Sequence, residues 1–314
     1  MAIDRELAAF LSDPPPNDMD DITTTRRLAA ILVEEEIAQR GSPLPGMSWH
    51  DEVTDAVLNN CQVPIRIYRS EAATKPSGAL LFFHGGAFVF GGLESEHERC
   101  LRLANRGECM VVSVDYRLAP ENPFPAAIDD GATALNWLRR NTEFLNVDHQ
   151  RIGVGGASAG GAVAAGLALR TRDSEGSWLR AQMLIYPALD NQAETTSIEQ
   201  FYQHVPWDGE RTRKMWMAYL GDDSDNVSPY ASVTRATCLA NLPPTYVMTT
   251  EEDPLRDEAI AYAQRLLLAG NTVELHHFPR TFHGFDIIAP GTLLSELALE
   301  EQAGFLRREL GRAT

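Results

Sequence analysis

The chain is poor in the residues that would staple it, anchor it in a membrane or grip a polyanion. Its four cysteines, Cys61, Cys100, Cys109 and Cys238, form no C-x-x-C pair. Neither a zinc site nor a disulfide framework is signalled, and reduced, buried thiols are expected. Basic side chains are outnumbered: 27 Lys+Arg against 44 Asp+Glu leave a formal charge of −17. Such a charge repels phosphate backbones and anionic lipid surfaces at long range and aids solubility, so no nucleic-acid partner is expected. Asp4, Arg5 and Glu6 interrupt the apolar residues between Met1 and Phe10, which leaves no signal-peptide core there. A cytoplasmic protein is the expectation.

Long hydrophobic runs are also scarce. Residues 152–169 are uncharged over the length of a membrane span, but they contain Gly153, Gly155, Gly156, Gly160, Gly161 and Gly166. That clustering suits a tight turn between two elements better than a lipid-facing helix, so no stable membrane insertion is expected.

What remains is ordinary globular material, 44% hydrophobic and 23% charged over 314 residues. It is enough for about two domains, or for one large α/β domain with an accessory piece. The first 45 residues are polar, with breaks at Pro14 to Pro16 and at Pro43 and Pro45 around a helix predicted from Ile22 to Arg40. Leu28, Ile31, Leu32 and Ile37 fall near helical spacing, so that helix should lay this face on something else.

Beyond it, short β-rich runs alternate with helical patterns. Strands are predicted at Val63–Tyr68, Ala79–Phe83, Met110–Val114, Arg151–Gly155, Gln182–Tyr186, Thr245–Thr249 and Val273–Phe278. Helices are predicted around 95–106, 125–140, 159–171, 257–269 and 292–309. The alternation implies a mostly parallel sheet covered on both faces, opened by an antiparallel hairpin from the alternating stretch Trp49–Leu58. The pattern breaks between Asp190 and Leu242, a stretch too long for one loop; a helix near Glu210–Leu220 is expected there, among Phe201, Tyr202, Trp207 and Trp216. These aromatics either line a pocket or form a small core of their own.

Gly156-Ala157-Ser158-Ala159-Gly160 matches G-x-S-x-G between a predicted strand and a predicted helix. In that context a strained turn presents the serine hydroxyl where a base can reach it; alone, the pentapeptide also fits a glycine-rich helix start. A serine hydroxyl needs a histidine to take its proton and an acid to orient that histidine. Of eight histidines, His283 is the one on a loop after the last predicted strand. His50, His84, His97 and His149 precede the serine, His204 sits in the insertion, and His276 and His277 lie inside a strand. For the acid, Glu251, Glu252, Asp253 and Asp257 are close rivals. His84-Gly85-Gly86-Ala87 follows another strand, so the N–H groups of Gly85 and Gly86 can join that of Ala159 as an oxyanion hole, though His-Gly-Gly also reads as a plain turn.

These features come with longer strings: Phe83-His84-Gly85-Gly86-Ala87-Phe88, Asp115-Tyr116-Arg117-Leu118-Ala119-Pro120-Glu121, Gly156 through Gly161, Asp253-Pro254-Leu255-Arg256-Asp257-Glu258 and His283-Gly284-Phe285. In them the chain resembles the hormone-sensitive-lipase-like branch of the α/β-hydrolases, the bacterial family IV esterases. The resemblance implies an α/β-hydrolase fold with a helical cap, and Asp253 as the acid beside Ser158 and His283. It also implies that His84, Asp115 and Arg117 support the oxyanion loop from behind. Residues 1–45 and 190–235 would form the cap, and 46–189 with 236–314 the catalytic domain. The sequence departs from the family at Ala87, where a third glycine is usual and where the acyl pocket would narrow, and at Ala157, usually Asp or Thr.

The expected activity is hydrolysis of short- to medium-chain carboxylic esters through an acyl-enzyme. No metal or organic cofactor is implied, the partner is a small-molecule ester, and relatives suggest a homodimer through the edge strand Val273–Phe278. An amidase or aryl-amide deacetylase on the same triad and a non-catalytic small-molecule receptor are the alternatives.

Overall fold

The computed structural model describes residues 3–12, 16–39, 44–55, 61–71, 76–203, 206–221 and 226–311. Pro14, Pro15, Arg40, Pro43, Leu58 and His204 lie outside the described residues. Eight strands form one sheet: β1 Met47–Val53, β2 Pro64–Ser70, β3 Ser77–Phe83, β4 Met110–Val114, β5 Val147–Ala157, β6 Ala181–Ile185, β7 Thr245–Glu252 and β8 Val273–Phe282. The helices are α1 Arg5–Ala8, α2 Ile22–Gln39, α3 His97–Arg106, α4 Ala126–Arg140, α5 Thr142–Leu145, α6 Ala159–Glu175, α7 Thr196–Gln200, α8 Gly209–Leu220, α9 Arg256–Leu268, α10 Phe285–Ile288 and α11 Leu293–Glu309.

The strand order is β1-β2-β4-β3-β5-β6-β7-β8. Antiparallel pairing joins β1 to β2 and β2 to β4, and every later pair is parallel. The expected opening hairpin is therefore present, its first strand beginning at Met47, ahead of Trp49, and ending at Val53. The reason the inner strands are rich in apolar residues on both faces is visible in β3. Ala79, Leu81 and Phe83 enter one hydrophobic core and Leu80 and Phe82 the other, because side chains of a strand alternate in direction and both faces here are covered. Helices α4, α6 and α9 pack on the first face, and α3 and α11 on the second.

Two expectations are corrected. Only Cys100 and Cys109 are buried; Cys61 is half-buried and Cys238 exposed, and all four are unpaired. Helix α2 does cover the body, but with its other face: Leu28, Ile31, Leu32 and Ile37 stay 42%, 46%, 47% and 44% exposed. It is held by polar ties instead. Arg26 donates from Nε to the Val89 carbonyl at 2.7 Å and from Nη2 to that of Ala119 at 2.7 Å, and pairs with Glu121 at 2.7 Å. The small Ala29 and Ala30 let the backbone come close to the cavity beneath. Among the described residues, no helix is long and apolar enough to cross a membrane.

Candidate active site

Five neighbouring strands, β3, β5, β6, β7 and β8, end at the same rim, and the next residues are His84, Ser158, Tyr186, Asp253 and His283. Open parallel sheets place ligands at such carboxyl ends. Ser158 caps α6 with φ 54° and ψ −119°, a left-handed conformation uncommon for a residue with a side chain. The flanking glycines are required by contact. A Cβ on Gly156 would lie 2.3 Å from the Gly160 carbonyl oxygen, and one on Gly160 would lie 2.1 Å from that of Phe83. The turn is thus wedged against the end of β3, with the Ser158 N–H donating to the Ile185 carbonyl at 2.9 Å.

The structure brings the three expected side chains together. His283 Nε2 is 3.0 Å from Ser158 Oγ, and His283 Nδ1 is 2.8 Å from Asp253 Oδ2. Asp253 is fully buried, so its remaining lone pairs need donors. They come from the Thr250 hydroxyl at 2.8 Å and the Leu255 N–H at 2.8 Å. The three rival acids point elsewhere: Glu251 accepts from the Arg280 N–H at 2.6 Å, Asp257 from the Ser197 N–H at 2.8 Å, and Glu252 ends β7 on the strand itself.

The oxyanion loop lies across the serine. A Cβ on Gly85 would be 3.6 Å from Ser158 Cβ, and Gly85, Gly86 and Ala87 line the same cavity as Ser158 and His283. Ala159 opens α6, where the first N–H groups have no partner inside the helix. Gly85 is more constrained than the spacing suggested, because its N–H is directed at the Glu96 carboxylate, 3.3 Å away. Glu96 was not legible as part of the site.

Support of the loop also differs from expectation. The Arg117 guanidinium is taken up by Asp130 of α4, at 2.7 Å and 3.0 Å, and not by the loop. Tyr116, its neighbour, makes the contact instead, stacking on His84 and donating its hydroxyl to the His84 carbonyl at 2.9 Å. Asp115 lies close to Gly92 and faces His84 electrostatically. Burial holds the His84 imidazole below its ordinary value of 6.5 and pushes the Asp115 carboxyl up.

The cavity above the serine has a volume of about 550 Å³, within the usual range for small-molecule sites. Its walls are apolar: Ala29, Ala30 and Val33 of α2, Phe90, Leu118, Trp207, Ile287 and Ile288. Of the insertion's aromatics, Trp207 faces this cavity, whereas Trp216 is buried against Phe88 and Tyr219. Lys214 of α8 pairs with Asp20 at 2.6 Å, and the Asn17 amide reaches the Pro206 carbonyl, so the two polar segments meet over the cavity. Among the described residues, no group of three or more His, Cys, Asp or Glu side chains could hold a metal ion.

A model of the alpha/beta hydrolase fold matches residues 80–287. Over 258 residues the chain is 36% identical to esterase LipI of Mycobacterium tuberculosis, covering 80% of this chain and 81% of that protein. Over 219 residues it is 38% identical to an arylesterase of Saccharolobus solfataricus, covering 68% and 69%. Among solved structures, a bacterial heroin esterase superposes with a TM-score of 0.93 at 38% identity, covering 98% of both chains. Esterase LipW from Mycobacterium marinum superposes with a TM-score of 0.90 at 38% identity, covering 98% of this chain and 96% of that one.

Proposed function

The chain belongs to the α/β-hydrolase family, in its hormone-sensitive-lipase-like branch, and is a serine carboxylesterase; we propose that Ser158, His283 and Asp253 are its nucleophile, general base and orienting acid. The observation that carries this reading is the pair of contacts on one imidazole, 3.0 Å to Ser158 Oγ and 2.8 Å to Asp253 Oδ2. His283 Nε2 takes the hydroxyl proton as Oγ attacks the ester carbonyl carbon, and Asp253 holds Nδ1–H so that the accepting nitrogen faces the serine. The tetrahedral oxyanion is met by the N–H groups of Gly86 and Ala159, whereas the Gly85 N–H, expected to join them, is directed to Glu96 and holds the loop in place. His283 then protonates the departing alkoxide, and water deacylates Ser158 by the same route in reverse.

Residues 1–45 and 190–235 act as the cap and 46–189 with 236–314 as the catalytic domain, a division supported by α2 and Trp207 lining the cavity and by Asn17 meeting Pro206 beside it. An apolar chamber of about 550 Å³ under such a cover fits esters of short to medium acyl chain. Pairing of two copies through β8 is part of the same reading, supported by that strand having β7 on one side only. So is a cytoplasmic location, supported by four unpaired cysteines.

The test is a panel of chromogenic esters of increasing acyl length on the purified chain, with Ser158→Ala as the blank. Turnover is expected to fall by about 10⁴-fold or more in the blank. Wild-type rates in that variant reject the assignment, and rates rising steadily to long-chain triglycerides reject the closed chamber. Light scattering and cell fractionation check the dimer and the compartment.

A further inference from the structure

Arg99 has no role in the steps above, yet its side chain is 3% exposed and lies behind the site. Burial of a guanidinium is costly unless it is neutralised and its donors are all taken. Here the fork reaches three different segments. Nε donates to Glu96 Oε2 at 2.7 Å; Nη1 donates to Asp286 Oδ2 at 2.7 Å; Nη2 donates to the Tyr186 hydroxyl oxygen at 2.6 Å and to Asp286 Oδ1 at 3.2 Å. The Tyr186 hydroxyl in turn donates to Asp286 Oδ1 at 2.8 Å.

Each branch ends beside a group that takes part in the reaction. Glu96 accepts the Gly85 N–H through Oε1, at a long 3.3 Å. Asp286 sits in α10, three residues after His283, and Tyr186 presents its ring to the imidazole with centroids 4.7 Å apart. Tyr186 itself is held at φ 35°. Gly85 and His283 come from opposite ends of the catalytic sequence, and one guanidinium ties both. Because Arg99 holds Glu96 through Oε2, Oε1 stays fixed where it accepts the Gly85 N–H and so orients that peptide.

We propose that Arg99 is a positioning residue for ester hydrolysis: through Glu96 on one side and Asp286 with Tyr186 on the other, it sets the placement of the oxyanion loop relative to His283. The proposal rests on the esterase reading above. A lysine would supply the charge but not the fork, so it can satisfy one branch and not all three. A buried ion cluster serving stability alone has little reason to end on a peptide N–H beside the nucleophile and a ring beneath the base, since such clusters are weak stabilisers compared with apolar packing.

The experiment compares Arg99→Lys, Glu96→Gln, Asp286→Asn and the double variant Glu96→Gln/Asp286→Asn in the full chain. Thermal unfolding, kcat and KM on a soluble chromogenic ester, and the rate at which a fluorophosphonate probe labels Ser158 are measured for each. Arg99→Lys is expected to lower kcat about ten- to a hundredfold with KM within about threefold, and to slow labelling in parallel, as a misplacement near 1 Å does. The two carboxylate variants should combine to less than the product of their separate effects, because both act through the same arginine. A folded Arg99→Lys with kcat within about twofold of wild type overturns the proposal. Independent, multiplicative effects of Glu96→Gln and Asp286→Asn do so as well, and this criterion alone decides if Arg99→Lys does not fold. Wild-type turnover by Ser158→Ala would sink the esterase reading; a wild-type-like Arg99→Lys beside an inactive Ser158→Ala sinks only the role of Arg99.

Discussion

Tyr116 lies flat against His84, ring centroids 4.2 Å apart and planes 11° from parallel, while its hydroxyl donates to the backbone carbonyl of the same histidine at 2.9 Å. One residue therefore clamps both the side chain and the main chain immediately before Gly85. Tyr116→Phe keeps the stack and removes the bond, leaving a buried carbonyl without that donor. Stability should fall by about 1–3 kcal/mol in chemical denaturation, the cost of an unsatisfied buried group. A fall in kcat of several-fold should accompany it, with KM little changed.

Acid should weaken the fold through His84. Its imidazole is fully buried and held below the ordinary 6.5 by desolvation. As pH falls below 6.5 the unfolded chain takes up this proton and the folded chain does not, so the stabilisation is fully present above 6.5 and declines toward the folded value. Proton uptake on unfolding, measured by calorimetry in different buffers at about pH 6, should therefore be lower by up to about one proton in His84→Asn than in wild type. Equal uptake in the two proteins would contradict a buried neutral imidazole.

Asp253→Asn removes the charge and replaces an oxygen facing His283 Nδ1 by an atom set that favours the wrong tautomer. The Leu255 N–H bond to the remaining carbonyl oxygen is kept, and the Thr250 hydroxyl, which donates to Oδ2 in the wild type, turns to accept from the amide, so the geometry should survive. A drop in kcat of about 10³–10⁴-fold at nearly constant KM is expected from steady-state kinetics.

Ala87 stands at φ 55° with its methyl on the cavity wall. Ala87→Gly relieves a left-handed alanine, worth about 1–2 kcal/mol, and restores about 0.5–1 kcal/mol of backbone entropy to the unfolded chain, so stability should change by less than about 1.5 kcal/mol. The space of one methyl is added to the chamber. The acyl-length optimum on the ester panel should move up by about one carbon, and an unchanged or shorter optimum would show that this wall does not face the acyl group.

Much of the fold was legible because its strands are short and sandwiched. A strand such as Ala79–Phe83, buried on both faces, writes its whole length as apolar residues, and the order of serine, acid and histidine follows the ends of β5, β7 and β8. The beginning of β5 at Val147 was not legible, since Asp148, His149 and Gln150 are polar and partly exposed beyond the covered centre of the sheet. The face of α2 was misread for a related reason: periodicity reports where large aliphatic groups lie, whereas Arg26 and the small alanines determine which side docks. Arg117 went to Asp130, and Tyr116 replaced it at the loop, because adjacent residues of an irregular segment have no fixed side that spacing could reveal. Glu96, Arg99, Tyr186 and Asp286 come from three distant stretches, and no local pattern links them.

The wedge of Gly160 against the last carbonyl of β3 has a further consequence. Nucleophile turn and oxyanion strand touch main chain to main chain, with no side chain between them to be exchanged. The chamber walls, by contrast, are side chains of α2, of Trp207 and of α10. Substitution can therefore reshape what is admitted while the distance over which the bond is broken stays pinned, a division of labour that lets one scaffold drift among diets without losing its bite.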